Sequence, residues 1–135
     1  YEKDPCDRLK GWELYRKNKN GIHRKKKTED LISMVAGISG HKGRIHLSFG
    51  EPLAGGYKDK NELADAIDRS IHSLYKLWPG NYIAYDRLFK TEKYSGKYTE
   101  SEKKQFLSAY RNLKDEIRTL VLTIYANPVC SFESL

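Results

Sequence analysis

The chain is poor in residues that carry self-contained chemistry. It has two cysteines, Cys6 and Cys130, at opposite ends of 135 residues. There is no Cys-x-x-Cys and no Cys/His group with zinc-ligand spacing, so no metal site is expected. Both cysteines read as reduced thiols of cytosolic type rather than as a disulfide framework. No apolar run approaches the roughly 18 residues that a spanning helix requires. The opening YEKDPCDRLK lacks the basic-then-apolar layout of a signal peptide. With no starting methionine, it reads as the beginning of a piece of a longer chain. Internal repeats and long low-complexity stretches are also missing. Acidic residues are outnumbered, 18 against 25 Lys and Arg.

That imbalance is local. Seven cations and no acid lie between Arg16 and Lys27: Arg16, Lys17, Lys19, Arg24, Lys25, Lys26 and Lys27. They account for the whole net charge of +7, and the rest of the chain is neutral. A nucleic-acid face would spread its cations over several elements and mix them with aromatics, so nucleic acid is not favoured as a partner. A basic loop facing anionic lipid gains about 1 kcal/mol per cation near the surface. We therefore take Arg24, Lys25, Lys26 and Lys27 as candidate membrane-binding residues, weighed against a loop that is merely solvated.

The length suits one domain, residues 1–135. Asp4, Pro5 and Asp7 mark a helix start, and Leu9 and Trp12 extend it to about Lys17. Thr28 caps a second helix with Leu31, Met34, Val35 and Ile38 on one face. RIHLSFGEPL alternates Ile45, Leu47 and Phe49 with Arg44, His46 and Ser48, which predicts a half-buried strand ending at Gly50 and Pro52. Asp59 and Glu62 form a capping-box-like pair before a helix bearing Leu63, Ile67, Ile71, Leu74 and Leu77, which stops before Pro79. NYIAYDRLF fits a buried strand or a short helix, with helix favoured. Thr99 and Glu102 cap the longest predicted helix, which runs on helical spacing to about Ala126, where Asn127-Pro128 ends it. The expected fold class is α+β and α-rich: helices packed on one to three short strands. A lone half-buried strand needs partners, and within the chain only Tyr1-Glu2 and 82–86 offer themselves. That shortage points to the C-terminal piece of a larger layered α/β domain, although a mainly helical domain also fits.

Three segments together, YEKDPCDRLK, GRIHLSFGEPL and AIDRSIHSLYKLWPGNYIAYD, resemble the C-terminal part of bacterial 1-acylglycerol-3-phosphate acyltransferase-like proteins, of the kind found in Bacteroides and its relatives. The likeness covers roughly residues 1–90 and rests on the order and spacing of the segments. It implies a parent enzyme on the cytoplasmic face of the membrane that moves a fatty acyl group from acyl carrier protein or coenzyme A to a lysophospholipid or glycerol-phosphate hydroxyl. It implies no cofactor. Such enzymes use a His-x-x-x-x-Asp motif, the histidine as general base. Here His23, His41 and His72 are followed five positions on by Thr28, His46 and Leu77. Only His46 meets an acid, Glu51. On an extended strand that pair points to opposite faces about 16 Å apart, so a strand histidine and a solvated glutamate are favoured over a catalytic dyad. The family's glycine- and arginine-containing phosphate motif is also missing. The expectation is therefore a segment with no catalytic residues of its own, whose main partner is the upstream acyltransferase core of the same chain.

Two further candidates remain. Lys42 and Arg44, in the glycine-rich GISGHKGR, could contact a phosphate, but the loop leads to a predicted strand and matches neither the P-loop nor the dinucleotide pattern. A connecting loop is favoured. Tyr75, Trp78, Tyr82 and Tyr85 could line an acyl-chain groove, against the commoner role of core packing. The competing class is a non-enzymatic, basic, helical binding module for an anionic membrane surface, with nucleic acid ranked last.

Overall fold

The computed structural model describes residues 1–21 and 27–133, apart from the side chain of Lys27. Its elements in order are α1 (Asp7–Asn20), α2 (Lys27–Ser39), α3 (Lys60–Leu74), α4 (Pro79–Phe89), a 3-10 turn at Ser95–Lys97, α5 (Glu100–Ala109) and α6 (Asp115–Glu133). No strand occurs among the described residues.

Local sequence sets several helix starts. The Asp59 carboxylate accepts the N–H groups of Asn61 and Glu62 at 2.8 and 3.0 Å. Those bonds stabilise its ionised form and lower its pKa. Thr99 and Glu102 close a reciprocal capping box at α5. Pro79 takes the first position of α4, where its missing N–H costs nothing. The Asn81 side chain accepts the Trp78 N–H at 2.7 Å and donates to the Tyr125 carbonyl at 2.8 Å, so this helix start is also bolted to α6.

The core lies between α4 and α6, with α1 and α5 closing it. Ile83, Ala84, Ile117, Val121 and Val129 are sealed from solvent. Gly11 lets α1 cross α6 closely: a Cβ there would stand 2.7 Å from Val121 Cγ2. At the heart of the core, Asp7 Oδ2 accepts the hydroxyls of Tyr110 and Tyr125 at 2.5 and 2.9 Å. Burial is the main force raising both phenol pKa values, and at Tyr110 the adjacent Tyr125 and Asp7 add to it.

The expected α+β class is wrong. Residues 44–52 carry the alternation of a strand but no ladder. Glu2 and Lys3 donate to the carbonyls of Arg44 and Lys42 at 2.8 and 2.9 Å. Pairing stops there, because the N-terminal stretch turns at Asp4-Pro5 into α1. The other supposed partner, 82–86, is inside α4. An extended segment without a second extended segment beside it makes no sheet.

Boundaries also differ: α3 ends at Leu74 and does not reach Leu77. The single long helix from Thr99 is two helices, broken by a turn at 110–114 in which Tyr110 and Leu113 donate back to Leu107 and Tyr110. The turn lets Tyr110 and Tyr125 converge on one carboxylate. Apolar spacing continues across it because both helices face the same core. At the other end, α6 runs through Pro128 to Glu133. A proline inside a helix costs one hydrogen bond. Buried Val129 and the bonds to Glu133 from Lys93, Tyr94 and Tyr85 hold the last turns in place.

Candidate functional site

The sequence-derived candidates divide by location. Arg24, Lys25 and Lys26 lie outside the described residues, and so does the side chain of Lys27, whose backbone opens α2. Lys42 and Arg44 are both engaged within the chain. Lys42 Nζ donates to the carbonyls of Ile38 and Gly40 at 3.1 and 3.3 Å. This satisfies carbonyls at the C-terminal end of α2, where a cation also suits the helix dipole. Arg44 holds Glu2 through two side-chain bonds of 3.1 and 3.0 Å. Its guanidinium carbon lies 4.9 Å from the centroid of the Trp78 ring. The hydrogen bonds from Arg44 hold the Glu2 carboxyl below the usual range. Neither cation is presented as a free phosphate clamp.

His46 bonds Ser48 Oγ through Nε2 at 2.6 Å. Glu51 is exposed, five residues on. Among the described residues no three His, Cys, Asp or Glu side chains are grouped to hold a metal. Both cysteines are free, and Cys6 donates its thiol to the Ser33 carbonyl at 3.3 Å, linking α1 to α2.

The aromatic cluster around Pro79 splits. Tyr82 and Tyr85 pack on Tyr94 with centroids 5.0 and 5.2 Å apart, as structural residues. Tyr75 stays half-exposed beside a cleft of about 280 Å³ between α3 and α6, lined by Ile71, His72, Ile124 and Phe132. His72 Nδ1 is buried there without a protein partner. A wider cleft of about 430 Å³ separates α1 from α2, with Leu9, Trp12 and Ile32 on its walls and the Arg16–Glu29 ion pair across it.

The prominent surface feature is one that sequence reasoning assigned to the interior. On α2, Leu31, Met34, Val35 and Ile38 are all more than half exposed, and Ile32 joins them. The segment after α2 exposes Ile45, Leu47 and Phe49 at 70, 75 and 86%. On α3, Leu63, Ile67 and Ile71 are exposed as well. Ordinary monomers scatter single apolar residues over their surface; here the exposed large apolar side chains concentrate in the sequence between Leu31 and Tyr75. The apolar spacing was legible in the sequence; the missing cover was not. Tyr94, Tyr98 and Asp86 were overlooked altogether. Asp86 is buried and accepts the Tyr98 hydroxyl at 2.8 Å and the Tyr94 N–H at 3.1 Å. Burial, then the bond to Asp86, pushes the Tyr98 phenol up to about 12.

Comparison with protein-family models, curated proteins and solved structures finds no match for this chain.

Proposed function

We propose that this chain is the non-catalytic C-terminal segment of a phospholipid-synthesis acyltransferase. It docks on the enzyme's catalytic part through the apolar side chains of α2, residues 45–53 and α3. The observation that carries this reading is the concentration of exposed large apolar residues between Leu31 and Tyr75. Fully burying one such side chain contributes about 1.5–3 kcal/mol. A dozen left open favour a permanent partner over a transient one. The resemblance of three segments to acyltransferase-like proteins names the partner. In this reading the catalytic part supplies the histidine base, the acyl donor comes to it as an acyl carrier protein or coenzyme A thioester, and the present chain supplies cover and rigidity. The location would be cytoplasmic, on the membrane surface; no helix among the described residues is long and apolar enough to cross a membrane.

The test is co-expression of the chain with a catalytic part bearing the His-x-x-x-x-Asp motif. Copurification as a stoichiometric complex, with acyl transfer to a lysophospholipid raised over the catalytic part alone, is expected. Separate elution of the two at micromolar concentration would sink the reading.

A basic module for anionic membranes is the second reading, favoured by the cation run just ahead of exposed α2. Glu29 and Asp30 in the first turn of α2 oppose it. Sedimentation with anionic but not neutral vesicles would promote it.

A further inference from the structure

A pocket of about 260 Å³ opens on the α4–α5 side of the fold, and none of its residues belongs to α2, residues 45–53 or α3. Ile83 and Leu107 form its apolar side, and Tyr98 lines it between them and the solvent. Three cations reach the same space: Arg87, Lys90 and Lys103. They are available. Arg87 and Lys90 make no side-chain hydrogen bond or ion pair among the described residues. Lys103 meets Glu100 at 3.5 Å, but the Glu100 side chain is 75% exposed, and a long, exposed pair holds little. The Thr91 hydroxyl oxygen accepts the Lys93 N–H at 3.2 Å, which leaves its own proton to donate.

Two acids stand beside these groups. Glu92 is exposed. Asp86 is buried, and its carboxylate is taken up by the Tyr98 hydroxyl and the Tyr94 N–H rather than by a cation. The backbone adds an independent sign. Lys90 ends α4 in the left-handed region, φ 52° and ψ 46°, and is the sole non-glycine with positive φ among the described residues. Glycine takes that conformation without a Cβ clash, so ending the helix does not by itself call for a lysine. Residues held in such backbone cluster at sites that clamp a ligand. A lone carboxylate would occupy one of the three cations. Three cations and a hydroxyl donor suit an anion with several oxygens, and the arginine fork matches phosphate geometry. Pockets for drug-sized ligands span about 300–1,000 Å³, so this smaller one suits a phosphate with a short organic body.

We propose that Arg87, Lys90, Thr91 and Lys103 form a binding site for the phosphate group of a monoester. The phosphate comes either on a small soluble molecule or as a lipid headgroup, and the same four side chains meet it in both cases. Arg87 supplies the paired donors, Lys90 and Lys103 supply charge, and Thr91 supplies a neutral donor. Ile83 and Leu107 face the organic body. The site does not depend on the docking reading above, since it uses a different part of the fold.

The test has two arms. Methyl phosphate is titrated at constant ionic strength and followed by amide NMR shifts; vesicles containing phosphatidic acid are sedimented with the chain, with neutral vesicles as the blank. Three variants go through both arms. Arg87→Gln should weaken binding about five- to tenfold and leave the melting temperature unchanged. Lys90→Gly separates charge from backbone: the glycine suits the left-handed turn, so the melting temperature should rise while binding weakens severalfold. Lys97→Gln, which removes a nearby cation outside the pocket, should bind like the unaltered chain. Saturable methyl phosphate binding, with shifts confined to residues 86–92 and 98–107, assigns a soluble ligand; that variant pattern on vesicles alone assigns a headgroup. No saturable binding in either arm, or a loss in Lys97→Gln equal to that in Arg87→Gln, would overturn the site.

Discussion

Ile117 and Val121 on α6 sit four residues apart and are both fully sealed from solvent. Met34 and Ile38 on α2 have the same separation and the same chemistry, yet they keep 63% and 78% of their exposure. In the core around α6, buried polar groups find partners: Asp7 takes two tyrosine hydroxyls and Asn81 joins two helices. Around α2 and α3, α3 starts on the Asp59 cap, but the apolar residues of both helices stay largely exposed. Helical spacing states which face of an element seeks cover. It does not state whether the cover lies in the same chain. The two regions separate those questions, one finding its cover internally and the other, in our reading, on a partner.

The largest effect should come from shaving matched residues in the two regions. Ile117→Ala is expected to lower unfolding free energy by about 2–5 kcal/mol, through lost burial and a residual cavity. Ile38→Ala should stay within about 0.5 kcal/mol, as surface changes do. Urea denaturation of both variants checks the pair, and comparable losses would break the contrast.

Next in size is the crossing of α1 on α6. Gly11→Leu places a side chain where even a Cβ stands 2.7 Å from Val121. A cost of about 1–3 kcal/mol is expected from overpacking. Asp7→Leu should cost a similar amount, about 1–3 kcal/mol, because it leaves two buried hydroxyls without their acceptor. Thermal melts would read both, and Asp7→Asn, which keeps an acceptor, should lose less.

Smaller effects sharpen the picture. Met34→Lys with Ile38→Lys should leave the melting temperature nearly unchanged and reduce self-association in light scattering. An unchanged tendency to associate would argue that α2 is not the sticky face. The smallest signal is at alkaline pH. Tyr98 has an ordinary value of 10.0 and a folded value pushed up to about 12, so folding favours its neutral form. Its contribution is fully present below pH 10 and fades as pH rises through 12. Phenolate absorbance should show several late-titrating tyrosines, Tyr110 and Tyr125 among them, and Asp86→Asn should move one of that group to lower pH.

Much of the helical framework could be read directly. Asp59 and Thr99 mark helix starts because capping is a matter of three or four neighbouring residues, whereas Pro79, read only as the end of the preceding helix, opens α4. The break at 110–114 was hidden because α5 and α6 turn their apolar spacing toward one core. Pro128 signalled an ending that tertiary contacts to Val129 and Glu133 overrode. The alternation at 44–49 predicted a strand that does not form, since a sheet also requires a neighbour and Glu2-Lys3 is too short to be one. Lys42 and Arg44 were recognisable as cations near glycines; that they hold a helix end and Glu2 depends on partners up to 42 residues away. The exposed face was the least legible feature, since a sequence records hydrophobicity and not coverage.

The central claim is that the face between Leu31 and Tyr75 docks on an acyltransferase catalytic part. Calorimetric titration of the chain into that catalytic part, at several temperatures, tests it most directly. The account predicts saturable binding with a negative heat-capacity change, the mark of apolar burial, abolished together in a Met34→Asp, Ile67→Asp double variant that still melts like the unaltered chain. Absence of heat and of complex with the unaltered chain, or undiminished binding by the double variant, would contradict it.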